Sequence, residues 1–284
     1  MDVEHSYSQS IIGFVRYSCL ATFRGNKFPD FFKPEYLDYR LDIFRNVTLK
    51  SFQEQSDKDF HVFLLHSEDL PLKYKDIFRS LEDENSFLHN VYISDFDIIE
   101  GKFEDKIISK SIEYVKFIND VSINFRIDND DALPFDYISR LRFYLKHEFK
   151  EHVISIPKVL FIQRVKEHKF LVKERYLPSH SAGLAYITDK NNYKTIMSLG
   201  EHHKVNLKHP LILLPGAGSI FTINGRNVAN NISFGGTVLN INELKTFLID
   251  NNLSDIDFNC LHICKRTILK LLIKIVNWVK KALT

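Results

Sequence analysis

The sequence predicts an α/β fold, a largely parallel sheet covered by helices, on three observations. Short apolar runs bounded by turn residues recur at 11–17 (IIGFVRY), 58–66 (KDFHVFLLH), 87–94 (FLHNVYIS) and 121–127 (VSINFRI). The segments between them carry apolar residues at helical spacing. No internal repeat or low-complexity linker breaks this alternation, so residues 1–257 read as one domain.

Taken in order, 11–17 is a buried first strand, followed by a loop holding Arg24, Gly25 and Pro29. Residues 36–54 place Leu37, Leu41, Phe44, Val47 and Phe52 near a 3.6-residue period, the stripe of a core-facing helix. After the strand at 58–66, Pro71 opens a short helix over 72–81, and 87–94 is the next strand. Ile107, Ile108, Ile112, Val115 and Ile118 predict a helix over 104–119. The strand at 121–127 follows, and Pro134 then fits the first turn of a helix reaching about 149. The second half is less regular. Residues 152–162 read as a strand broken at Pro157, 181–200 as a small-residue turn with a short helix, and 215–236 as Gly/Asn-rich loops.

Composition narrows the function. Apolar residues make up 44% and charged residues 26%, as in an ordinary soluble globular protein. The net charge is +2, but 258–284 hold six Lys/Arg and no Asp or Glu, which leaves the first 257 residues at −4. Cys19, Cys260 and Cys264 are too few for a disulfide framework and fit a reducing compartment. The polar start, MDVEHSYSQS, does not resemble a secretory signal, and no apolar run is long enough to span a bilayer. GxxxxGK[ST], GxGxxG at a helix start and GxSxG are all absent, which argues against P-loop ATPases, dinucleotide oxidoreductases and α/β-hydrolases.

The strongest chemical signal is RIDNDDAL, where the strand at 121–127 runs into Asp128, Asn129, Asp130 and Asp131. In parallel sheets ligands bind beyond the carboxyl ends of the strands. Two carboxylates one residue apart there can share a hard cation that also binds diphosphate oxygens. An Asp/Asn-rich stretch is equally what a solvated turn looks like. The spacing and central Gly of a calcium loop are missing.

The order of motifs adds a resemblance. LDYRLDIFRNVTLKSFQEQSDKDFHVFLLHSEDLP, then FRIDNDDAL, then SAGLAYIT, then INGRNVANNI, is similar to the pattern of the putative rhamnosyltransferase family of bacteria, across about residues 11–236. The resemblance implies a GT-A-like, Rossmann-type mixed sheet flanked by helices, with a DxD motif. It implies sugar transfer from a nucleotide diphosphate donor to a glycan acceptor in capsule, O-antigen or other surface polysaccharide synthesis, with Mn2+ or Mg2+ as cofactor. By the same resemblance Asp130 is the main metal ligand, Asp128 contacts ribose or a metal-bound water, and Asp131 completes the site. Arg126, Arg40 and Arg24 are candidates for the diphosphate, although a surface salt bridge is the commoner use of each. One departure stands out: the pattern expects a His where this chain has Asn224.

Other groups fill the remaining roles. Inverting transfer needs a base for the acceptor hydroxyl; Glu201 is the candidate, with Asp189 behind it. His202, His203 and His209 form the densest His group; the resemblance implies a third metal ligand among them, with His203 the candidate, and exposed loop histidines are the alternative reading. Gly183, in SAGLA, lacks bulk and lets a sugar or a backbone approach, or simply makes a turn. Residues 258–284 read as a basic amphipathic helix. Its stretch 261–284 is expected in the interface of an anionic membrane, with Trp278 at headgroup depth, holding the enzyme peripherally on the cytoplasmic face. That stretch also reads as a helix packed on the domain. It lacks the interleaved groups of a nucleic-acid platform. A metal-dependent nucleotidyl- or phosphotransferase and a non-catalytic partner in glycan assembly are the alternative functions.

Overall fold

A computed structural model describes residues 10–19, 22–23, 26–27, 32–224, 236–251 and 256–262. Its strands are β1 (Ile11–Arg16), β2 (Thr22–Phe23), β3 (Asn26–Lys27), β4 (His61–Ser67), β5 (Leu88–Ile93), β6 (Val121–Asp128), β7 (Val153–Ser155), β8 (Lys158–Lys166), β9 (Lys169–Tyr176), β10 (Leu184–Asp189), β11 (Leu211–Leu213), β12 (Ser219–Ile223) and β13 (Thr237–Asn240). Its α-helices are α1 (Pro34–Ile43), α2 (Lys50–Gln53), α3 (Leu72–Glu84), α4 (Asp95–Ile99), α5 (Phe103–Ser111), α6 (Tyr137–Arg142) and α7 (Ile241–Asp250).

The α/β fold is a seven-stranded mixed sheet flanked by helices, ordered β11-β7-β10-β6-β1-β4-β5. The four predicted strands β1, β4, β5 and β6 pair in parallel, and β1, β4 and β6 carry the near-continuous buried runs typical of such strands. Apolar side chains cover both faces: Phe52, Phe125 and Tyr137 belong to the core on one side, Phe14, Phe63 and Tyr186 to that on the other. Gly13, in the middle of β1, makes this packing possible. A Cβ there would come within 2.4 Å of the Phe125 ring.

A second sheet, β12-β8-β9-β13, carries its own apolar cluster with α7 and the segment 256–261. The strand broken at Pro157 feeds both sheets, β7 into the first and β8 into the second.

Four expectations change. Within 215–236, expected as loops, Ser219–Ile223 form β12 and pair in parallel with β8. Residues 184–189 are a strand, not part of a helix; their alternating side chains fill β10 between β6 and β7. The helix expected to begin at Pro134 occupies only Tyr137–Arg142, because tight three-residue bonds at Tyr144 and Leu145 close it. The stripe at 104–119 is helical to Ser111, with one further 3-10 turn to Tyr114.

The 36–54 helix is present in three joined parts: α1, a π-helical turn at Phe44–Leu49, and α2. No helix among the described residues is long and apolar enough to cross a membrane.

Candidate active site

Strand register builds the site. β1 and β6 are parallel neighbours, and their last residues, Arg16 and Asp128, are partners in that register. The Arg16 guanidinium donates to Asp128 Oδ1 at 2.9 Å, and Arg126 Nη2 lies 3.9 Å from the same oxygen. The Ser181 side chain also helps to hold the same carboxyl low, so the SAGLA stretch meets the acidic cluster. Burial alone would raise the Asp128 carboxyl, but Arg16 and Arg126 outweigh it and hold the group below the usual carboxylate range. Arg126 is pushed down to about 10 by burial and by Arg16, and stays charged at neutral pH.

The turn after β6 is bolted down rather than solvated. Ala132 and Ile220 exchange backbone hydrogen bonds of 3.1 and 2.8 Å, which ties the turn to β12. Thr222 donates from its hydroxyl to the Asp130 carbonyl and from its backbone N–H to Asp131 Oδ1. From the π-helical turn, Thr48 donates to the Asp131 carbonyl at 2.8 Å. Asn129, Asp130 and Asp131 are in consequence 0%, 5% and 2% exposed. The reading of this cluster as a solvated turn is set aside.

Asp130 faces Arg40 Nη1 at 3.6 Å and accepts a 2.9 Å hydrogen bond from the Asn224 amide. The residue that departs from the family pattern thus lies against the central aspartate. Burial, and secondarily Asp128, raise the Asp130 carboxyl; Arg40 and Asn224 oppose them. Burial together with Asp130 and Asp128 raises Asp131 well above the carboxylate range. Ionising all three carboxylates in this turn is therefore costly, and a cation would relieve that cost. Asn129, between them, has neither amide atom hydrogen-bonded, although such buried groups normally find partners.

Among the described residues no group of three His, Cys, Asp or Glu is placed to enclose a metal ion. Mg2+-type ions need no such cage: one or two carboxylates suffice when water and phosphate oxygens complete the shell. The Asp128–Asp130 pair fits that donor set.

The remaining sequence candidates scatter. His203, the expected third ligand, is exposed on the turn His202–Leu207, with Nε2 3.5 Å from Glu201. His202 is the histidine that senses the cluster. Burial and then Arg126 lower its imidazole, and Asp128 and Arg16 also act on it. Glu201 begins that turn and pairs with Lys204. His209 donates to the Glu151 carbonyl, close to the start of β7.

Asp189 is at the wrong end of the sheet. β10 runs antiparallel to β6 and sets Asp189 opposite Val121, the length of an eight-residue strand from Asp128, about 23 Å at the usual rise. Gly183 has φ +80 and donates its N–H to the Arg126 carbonyl. A Cβ there would meet Leu133, Ile156 and Tyr137, so the glycine serves the turn and the core. Arg24 and most of the INGRNVANNI stretch, residues 225–232, lie outside the described residues, as does 263–284.

The sequence model of the family described as "Putative rhamnosyl transferase" matches residues 10–235. The chain belongs to this family. The family's description is that of a sugar-transferring enzyme. Among curated proteins none matches significantly. Solved structures similar to the chain include S. aureus TarS 1-349 in complex with UDP, at 10% identity over 75% of this chain and 60% of that one, with a TM-score of 0.40. A second S. aureus TarS structure aligns at 11% identity over 75% of this chain and 37% of that one, TM-score 0.38. A putative glucose-1-phosphate thymidylyltransferase from Bacillus anthracis, in complex with a sucrose, aligns at 9% identity over 87% and 97%, TM-score 0.36. The chain thus spans 60% of the TarS fragment and a little over a third of the longer TarS chain.

Two readings of Asp131 differ in what its replacement does. Asp131→Asn retains an acceptor for the Thr222 N–H and removes a buried acid. A carboxyl raised in the folded state contributes its stability below the unfolded value, about 3.9, and loses it as pH rises toward the folded one. Asp131→Asn is therefore expected to be at least as stable as the parent at pH 5 and clearly more stable at pH 8, as read from urea midpoints. An equal gain at both pH values would mean that Asp131 titrates normally.

Proposed function

We propose that this rhamnosyl transferase family member moves a sugar, rhamnose by the family's description, from a nucleoside diphosphate donor to a surface glycan, with Mn2+ or Mg2+ bound at Asp130 and Asp128. The observation that carries the reading is the carboxylate pair, Asp130 buried and Asp128 partly open, flanked by three guanidinium groups, Arg16, Arg126 and Arg40, at the carboxyl ends of β1 and β6.

Each group then has a task. Asp130 supplies the main carboxylate to the cation. Asp128, held ionised by Arg16 and Arg126, offers the second or accepts from the donor's ribose. When bound, the cation supplies charge that neutralises the departing diphosphate. Arg126 and Arg40 add fixed positive charge that needs no reorganisation as the leaving group develops. Asp131 completes the site from behind by fixing the turn to β12. Glu201 remains the candidate base for the acceptor, beside His202, whose lowered imidazole is neutral at physiological pH. The basic, acid-free sequence of 261–284 supports peripheral attachment to an anionic membrane, where a lipid-linked acceptor would be found.

A thermal-shift screen of nucleotide sugars, with and without Mn2+, tests this. The matching donor is expected to stabilise the protein in the presence of metal, by about 2.7 kcal/mol at a hundredfold excess over its dissociation constant. Slow hydrolysis of that donor should release nucleoside diphosphate and free sugar. A screen in which no donor shifts the melting point, with metal or without, would remove the assignment.

A further inference from the structure

The carboxylate at the heart of the site is linked to the C-terminal segment by a continuous set of contacts. α1 presents Tyr39 beside Arg40. Arg40 reaches Asp130 directly, whereas Tyr39 is buried in the core of the second sheet. The Tyr39 ring stacks on the His262 imidazole, with centroids 3.7 Å apart and planes inclined by 24°. Its hydroxyl accepts from the His262 backbone N–H at 3.1 Å and lies 3.4 Å from the Asn224 carbonyl, to which it donates. One phenol can make both bonds, since it has one hydrogen and two lone pairs. The Asn224 side chain then donates to Asp130 Oδ2 at 2.9 Å.

The far end of this chain of contacts is anchored. Ile256, Phe258 and Leu261 are buried among Tyr39, Ile43 and Val47, and Arg164 Nη1 donates to the carbonyls of Asn259 and Leu261. The near end is a single carboxylate oxygen. Hydrogen-bonded groups behind a metal-binding residue orient it, and losing them weakens metal affinity by about 10- to 100-fold.

We propose that docking of segment 256–262 on α1 sets the geometry of Asp130, with Tyr39 and Asn224 acting as positioning residues for the cation site. The proposal deepens the metal-dependent reading above and rests on it. It also places the start of the basic stretch in register with the site: a pull on His262 is felt at Asn224.

Mn2+ titrated into the full chain, with free ion read by electron paramagnetic resonance, provides the test. Tyr39→Phe keeps the ring stack and deletes the hydroxyl; His262→Ala deletes the stack. Tyr74→Phe is the control, because its hydroxyl bonds α1 at Pro34 and Asp38 without reaching Asp130. Tyr39→Phe and His262→Ala are expected to weaken Mn2+ binding about tenfold, with melting points near the parent's, while Tyr74→Phe leaves it unchanged. Parental affinity in Tyr39→Phe, or equal weakening in Tyr74→Phe, overturns the proposal. Should the parent bind no Mn2+, the metal reading falls and hydrogen exchange decides the relay. Faster exchange over 127–133 in Tyr39→Phe but not in Tyr74→Phe upholds it, and unchanged exchange ends it.

Discussion

Asp130→Ala is expected to lower sugar transfer by about a thousandfold or more, the scale set by removing preorganised stabilisation of developing charge. The loss should fall on kcat and on metal dependence rather than on folding. In the folded protein burial and Asp128 disfavour the ionised Asp130, and Arg40 and Asn224 offset only part of that. A carboxyl raised in this way costs stability once pH exceeds both its values. Alanine removes that cost but also takes a partner from the Arg40 guanidinium and from the Asn224 amide, so the melting point is read beside the rate before inactivity is ascribed to the site. Rates measured across an Mn2+ series, beside melting curves, separate the two effects. Transfer within tenfold of the parent at every Mn2+ concentration would end the assignment of Asp130 as the principal ligand.

The sequence made some of this legible and hid the rest for physical reasons. Strands β1, β4 and β6 are buried on both faces, so their apolar runs are nearly continuous and easy to see. Asp128, Asp130 and Arg126 were visible because they share one stretch of chain. Arg40 was visible as a cation on a helix expected beside the first strand. Arg16 was not singled out: it ends an apolar run, and only the parallel register of β1 with β6 sets it against Asp128. Asn224 stands 94 residues from its partner, and its role depends on β12 being stapled to the turn through Ala132 and Ile220.

Direction was the hardest property to read. A strand's residues do not say which way it will run in the sheet. β10 enters antiparallel, which leaves Ser181 beside Asp128 and carries Asp189 to the opposite end. The choice between His202 and His203 had the same cause. Adjacent histidines on a strand would leave at most one of the pair turned inward, but they lie on a six-residue 3-10 turn, and it is His202 that this turn brings under the influence of the cluster.

Asp128→Ala probes the other half of the site, and its expected signature differs from that of Asp130. The carboxylate separates two guanidinium groups, and without it Arg16 and Arg126 face each other with the same charge. Removing one partner of a fully buried ion pair costs about 3–5 kcal/mol. Here 33% of the Asp128 side chain and 28% of Arg16 remain open, so water screens part of the repulsion, and a loss of about 2 kcal/mol is expected. Since Arg16 and Arg126 hold the Asp128 carboxyl below its ordinary value, its contribution is present above about pH 4 and fades as pH falls through the folded value. The gap between parent and variant should therefore narrow in acid. The orphaned guanidinium pair is also an anion site in its own right. Inorganic pyrophosphate, with EDTA present to exclude metal, should restore more stability to Asp128→Ala than it adds to the parent. Urea midpoints with and without pyrophosphate measure both effects together. Equal stabilisation of the two proteins would show that these arginines serve the carboxylate alone, and the diphosphate would have to be held elsewhere.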